Sequence, residues 1–165
     1  MSNVLLAIDC SLYGKAISDF VANHRWSPGT NFKMLHVLES ENFNKAEKYS
    51  RESASLFLSR HQHKLQQLLP TMNISTDICD GSAKEEILAA CSAWPADMVI
   101  VGSHGLASLQ RFARGSVSLA VMLHAQCSVL VVRLSDAYQT REANLEVKTA
   151  DSCSRSEANE GSGCY

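Results

Sequence analysis

The sequence predicts a single α/β domain, built on a mostly parallel five-stranded sheet with helices on both faces. Three observations carry that expectation. Short apolar runs recur at 3–9, 31–39, 96–103 and 128–133; they are uniform rather than alternating, as strands covered on both faces read. Segments whose apolar residues repeat at helical spacing separate these runs. With 165 residues and 45% hydrophobic content, the chain is long enough to bury one sizeable core.

Taken in order, NVLLAID (3–9) is the first strand. A helix over 11–24 follows, with Ala16, Ile17, Phe20 and Val21 on one stripe, and Pro28 and Gly29 mark the turn after it. NFKMLHVLE (31–39) is the second strand. Residues 44–69 read as a long helix whose apolar side is Ala54, Phe57, Leu58, Leu65, Leu68 and Leu69, stopped by Pro70. NISTDICD (73–80) alternates and reads as an edge strand. Gly81 then supplies a turn, and Ser82-x-x-Glu85 reads as a capping box opening the helix KEEILAACSAW. ADMVIVGS (96–103) is a buried strand, 116–124 a helix, and SVLVVR (128–133) the last strand. Five strands alternating with four helices argue for parallel pairing.

Composition narrows the function. A net charge of −2 speaks against a general nucleic-acid binder. MSNVLLAIDCS has no basic n-region, and no apolar run approaches the roughly 20 residues of a spanning helix, so a cytoplasmic protein with no membrane insertion is expected. Six cysteines are scattered without a CxxC pair and read as small core residues or free thiols rather than zinc ligands. His61 and His63 read as solvated surface. Residues 135–165 are rich in Ser, Glu, Asn and Ala; they read as a disordered tail to a domain over 1–134.

One segment points to chemistry. VIVGSHGLASLQRFARGSVSLAV (99–121) places Gly102, Gly105 and Gly115 between a strand end and a helix start, with Ser116 directly after. Ligands of open parallel sheets bind beyond the carboxyl ends of the strands. Glycines there let backbone N–H groups approach an anion, and a helix start adds free N–H groups and positive dipole. The hydroxyls of Ser116 and Ser118 can donate to phosphate oxygens. Neither the GxxxxGK[ST] loop nor GxGxxG is present. On spacing alone, a strand end at Gly102 and a plain turn at Gly115 remain an alternative.

Gly102-x2-Gly105-x9-Gly115-Ser116 resembles the nucleotide-binding signature of the universal stress protein family, without insertion or deletion. NVLLAIDCS, FKMLHVLE, GSAKEEIL, ADMVIVGSHG and GSVSLAVMLHAQCSVLVVR resemble that family's successive elements, so the likeness spans about residues 3–133. It implies a flavodoxin-like or Rossmann-like domain of strand order 3-2-1-4-5, with ATP or AMP bound across strands 1 and 4 and magnesium as a companion of the phosphates. By position it implies that Asp9 meets the ribose or the metal-phosphate region and that the backbone of Ala7 and Val37 frames the adenine. Gly102, Ser103 and Gly105 would wrap phosphates and ribose, and Gly115, Ser116, Val117 and Ser118 would cradle the phosphates. His104, Arg111 and Arg114 lie in the same segment, each open to a phosphate contact or to solvent.

The chain departs from the family where Asp9-Cys10-Ser11 replaces Asp-Gly-Ser. Cys10 reads as packing in preference to a redox-sensitive gate. The function implied is nucleotide-dependent regulation in stress through an unidentified protein partner. A homodimer is expected through the last strand, Val129 to Arg133. No persuasive catalytic set is present. Slow ATP hydrolysis or autophosphorylation is the enzymatic alternative, and a dimeric scaffold binding no nucleotide is the other. An adenylating enzyme would need an SGGxDS-like segment, which AIDCSLYGK lacks.

Overall fold

In a computed structural model describing residues 2–39, 51–103 and 116–134, β1 (Asn3–Ala7) lies at the centre of a parallel sheet. It pairs on one side with β2 (Asn31–Leu38) and on the other with β4 (Met98–Gly102). β3 (Asn73–Asp80) and β5 (Ser128–Val132) form the edges, giving the order 3-2-1-4-5. The expected sheet is therefore present. The strands end one or two residues short of the apolar runs that announce them, an ordinary uncertainty of element ends. Met1–Arg133 form one compact unit. The expected tail, 135–165, lies outside the described residues.

Why these residues fold this way follows from their period. In β1, β2 and β4, successive side chains point to opposite faces, and both faces are covered. Leu5, Leu35, Val99 and Val101 cluster with Ile87 and Cys91 of α3 (Ala83–Ala93) and Val121 of α4 (Ser116–His124). The alternate residues Val4, Leu6, Phe32, Met34 and Ile100 are buried as well. α1 (Leu12–Asn23) packs against α2 (Arg51–Leu68), and α3 against α4. The chain runs outward from β1 through β2 to β3, then crosses back to β4 and β5. Right-handed crossovers in opposite directions put the two helix pairs on opposite faces.

The amino ends of the strands are closed by side chains. The Asn3 amide nitrogen donates to Asp97 Oδ2 at 2.8 Å, Asn3 Nδ2 to the Pro95 carbonyl at 3.1 Å, and Asn31 Nδ2 to Asn3 Oδ1 at 3.0 Å. Among the described residues, the polar groups at this edge bind one another.

Three expectations need correction. Leu68 is 54% exposed, because the buried stripe of α2 is Ala54, Leu58 and Leu65 and the helix ends before another turn can carry it onward. His61 is not solvated surface. It continues that stripe at a spacing of three from Leu58 and four from Leu65, and its ring lies 4.3 Å from that of Phe57. His63, by contrast, is exposed. Third, Ser82 stands at the N-cap of α3 but its hydroxyl makes no capping bond. Glu39, at the end of β2, reaches across instead, accepting from the Ala83 N–H at 3.1 Å. The long helix expected from 44 is described only from Arg51.

His61 has a measurable consequence. Its Nδ1 is buried with no hydrogen-bond partner among the described residues. Burial, helped by Lys64 and Lys15 against Asp19, holds the imidazole below its ordinary 6.5. The unfolded chain therefore gains a proton before the folded one does. Stability from a neutral His61 is complete above pH 6.5 and is lost as pH falls toward the folded value. His61→Leu removes the orphaned nitrogen and should raise stability at neutral pH by about 1 kcal/mol. Urea unfolding should also show a smaller decline on acidification than the parent protein does, part of what remains belonging to His36.

Candidate functional site

At the opposite, carboxyl edge the sheet has a point where the chain departs in two directions. β1 and β4 are neighbours, with Val4, Leu5 and Leu6 opposite Met98, Val99 and Ile100. The connection after β1 leads to β2, and the one after β4 to β5 on the other side. Such a reversal leaves a crevice between the two departing loops. Asp9 follows one strand end; Gly102 and Ser103 mark the other.

The β1 end is held from three sides. The Ile8 N–H donates to the Leu35 carbonyl at 2.9 Å, extending the ladder beyond Ala7. The Ile8 carbonyl accepts from His36 Nδ1 at 2.8 Å. A carbonyl can only accept, so neutral His36 carries its proton on Nδ1. His36 is 3% exposed. Burial pushes its pKa below the usual imidazole value, against the raising effects of the Ile8 bond and the Asp9 charge. Beyond Ile8, the Asp9 carboxylate accepts from Ser11 twice, from the N–H at 3.2 Å and from the hydroxyl. That hydroxyl also accepts from the Tyr13 N–H at 3.1 Å, so Ser11 is the N-cap of α1. Asp9 is thus tied to the first turn of the helix that follows it.

Gly14, buried in α1, completes the arrangement, and sequence reasoning missed it. A Cβ there would lie 2.0 Å from the Asp9 carbonyl oxygen and 3.0 Å from Ile8 Cγ2. Helix and strand end touch with no side chain between them. His36 was visible only as part of the HV pair that supports the family resemblance; its bond to Ile8, twenty-eight residues away, has no sequence signal.

Across the crevice, the Ser103 N–H donates to the Val132 carbonyl at 2.9 Å, which fixes the exit of β4 to the edge strand. α4 begins at Ser116, and the N–H groups of its first turn have no partner within the helix. Val117 packs toward the Leu5–Val99 cluster, leaving its backbone as its contribution. Ser118 is 8% exposed. Ala7 and Val37 are half-buried at the ends of neighbouring strands and share a face. Gly105 and Gly115, with His104, Arg111 and Arg114, lie outside the described residues. The fold brings Ala7, Asp9, Val37, Gly102 and Ser103 to one edge of the sheet, and α4 starts on the connection that leaves the same edge.

Cys10 is half-buried beside Asp9, and burial together with that carboxylate pushes its thiol up to about 11. A thiol so held from ionising fits packing better than a redox gate. A depression at the start of α2, lined by Arg51, Glu52, Ser55, Leu56 and Ser59, draws on one helix alone and gathers no comparable set.

Comparison with known proteins identifies the family and the fold. The sequence profile of the Universal stress protein family matches residues 1–133. Universal stress protein A homolog 2 of Coxiella burnetii is 37% identical over 82 residues, a stretch covering 48% of this chain and 56% of that relative. Among solved structures, hypothetical protein MJ0577 superposes with a TM-score of 0.70 at 23% identity, covering 82% of this chain and 97% of its own. A universal stress protein family protein from Arabidopsis thaliana, with AMP bound, gives a TM-score of 0.59 at 19% identity, covering 83% and 94%. At these identities the two structures establish the shared fold.

Gly14→Ala should lower stability by about 1–3 kcal/mol, because its methyl meets backbone that cannot turn aside. Ala is otherwise the better helix former, so an unchanged or raised urea midpoint would refute the close approach.

Proposed function

The chain belongs to the universal stress protein family, and on that footing we propose that it binds an adenine nucleotide, ATP or AMP, at the carboxyl ends of β1 and β4. The observation that carries the reading is the juxtaposition of Asp9 with Gly102 and Ser103 at the reversal point of the sheet. The AMP-bound relative of the same fold supports the choice of ligand class.

The residues suit such a ligand. Asp9 is an acceptor held in place through Ser11 and can take a ribose hydroxyl proton in a hydrogen bond. The backbone of Ala7 and Val37 frames the adenine between neighbouring strand ends. Gly102, Ser103 and Gly105 approach ribose and phosphates through main-chain groups, and Gly115, Ser116, Val117 and Ser118 meet the phosphates at a helix start, where N–H groups and dipole favour negative charge. No three His, Cys, Asp or Glu side chains gather to hold a metal among the described residues. Magnesium would arrive with the phosphates, and Asp9 is a candidate carboxylate for it.

The function that follows is regulatory: nucleotide occupancy is reported to a protein partner during stress. β5 suits self-association. It is one of the sheet's two edges, its Val129, Leu130 and Val131 are half-buried, and exposed edges of this kind pair readily. We read the protein as a cytoplasmic homodimer; among the described residues no helix is long and apolar enough to cross a membrane.

Isothermal titration with ATP, ADP and AMP tests the ligand. Binding by at least one is expected, with Asp9→Asn weakening it about tenfold, the scale of one charge-assisted hydrogen bond. No heat with any of them in the folded protein would leave a scaffold, and product formation would make it an enzyme. Sedimentation at micromolar concentration should show a dimer, reduced to monomer by a charged residue at Leu130; a monomer throughout would remove the β5 interface.

A further inference from the structure

Two cysteines that take no part in the strand-end site meet on the α3–α4 face of the sheet. Cys91, on the inner side of α3, is 7% exposed; Cys127, in the turn between α4 and β5, is half-buried and packs against the same cluster. Both belong to one packed cluster, and burial together with the neighbouring Cys127 holds the Cys91 thiol up. The other two described cysteines lie elsewhere: Cys10 sits by Asp9, and Cys79 Sγ reaches the His36 carbonyl at 4.0 Å.

The backbone on either side of the pair is pinned. The Cys91 carbonyl accepts from the Ala96 N–H at 3.1 Å, and the Asp97 carbonyl accepts from the Ser128 N–H, also at 3.1 Å. The residue after Cys127 is therefore bonded to the segment that leaves Cys91. These main-chain bonds hold the two segments that carry the cysteines beside each other, independently of the thiols themselves. Simple hydrophobic packing would explain one buried cysteine. It does not call for a second, more exposed thiol set against the first.

We propose that Cys91 and Cys127 form an oxidisable dithiol whose oxidant is a hydroperoxide. Cys127, the more exposed sulfur, attacks the peroxide oxygen as its thiolate, breaking the O–O bond. It becomes a sulfenic acid, and the leaving oxygen departs as alcohol or water after taking up a proton. The Cys91 sulfur then attacks the sulfenic sulfur, forming the S–S bond and expelling hydroxide, which leaves as water with the Cys91 proton. In sum, two thiols lose two protons and two electrons, and the hydroperoxide is reduced. The order of events follows from the surroundings: burial, together with the neighbouring Cys127, pushes the Cys91 thiol up to about 12, so Cys91 resolves rather than initiates. The bond would tie α3 to the turn entering β5, closing a loop that contains β4 and α4. It stands whether or not a nucleotide binds at the strand ends.

The test treats the full reduced chain with hydrogen peroxide, blocks remaining thiols with iodoacetamide, and maps digested peptides by mass spectrometry. The expected main product is a Cys91–Cys127 linked peptide, lighter by two hydrogens and reversed by dithiothreitol. The oxidised protein should melt about 5 °C or more above the reduced one, since closing so long a loop restrains the unfolded chain. In Cys91→Ala, Cys127 should run on to sulfinic acid; in Cys127→Ala, which alters only a half-buried turn position, Cys91 should stay reduced. Recovery of both cysteines as alkylated thiols, or their linkage to other cysteines instead of each other, would overturn the proposal.

Discussion

The contact between Gly14 and the Asp9 carbonyl is the constraint on which the candidate site depends. A parallel strand that stops at Ala7 must hand the chain to a helix within a few residues, and the hand-over fixes where the next acidic side chain stands. Here α1 comes back onto the strand end so closely that a single methyl group would lie 2.0 Å from backbone oxygen. His36 grips the Ile8 carbonyl from the side, and Ser11 joins the Asp9 carboxylate to the Tyr13 N–H. Each bond is of ordinary strength. Together they determine the direction of one carboxylate at the mouth of the sheet.

The two edges of the sheet divide their labour. At the amino edge, Asn3, Asn31 and Asp97 bind one another and the adjoining backbone, which closes that end. At the carboxyl edge, the polar groups are oriented by internal bonds and the chain turns away in opposite directions from β1 and β4. Stability resides in the apolar layers between, where Leu5, Leu6, Met34, Val99 and Ile100 are almost wholly buried. Rigid scaffolds of this kind usually present their function on the loops beyond the strand ends.

How much of this could be read from sequence depended on the range of the interaction. The strands and α4 were legible because burial on two faces imposes uninterrupted apolar runs, and NISTDICD announced an edge through its alternation. The membership of Ala7, Asp9, Val37, Gly102 and Ser103 in one edge was legible only through family resemblance, since nothing local brings β1 beside β4. What escaped was tertiary. His61 and His63, two apart on a helix, face different ways, and only the spacing of His61 from Leu58 and Leu65 marks which of them joins the buried stripe. Ser82 had the local pattern of a capping box, but Glu39 from another element supplied the acceptor. Gly14, His36 and the Cys91–Cys127 pair act across contacts that no window of sequence displays.

The central claim is that a nucleotide lies where β1 and β4 end. Amide chemical-shift mapping of the 15N-labelled protein, titrated with ATP and separately with AMP, reads that location directly. The account predicts the largest changes at Ala7 to Ser11, Val37, Gly102, Ser103 and the first turn of α4, with Asn3, Asn31 and Ser128 at the far edge unmoved. Changes confined to α2 or to that far edge, or none at saturating ATP and none at saturating AMP, would contradict it.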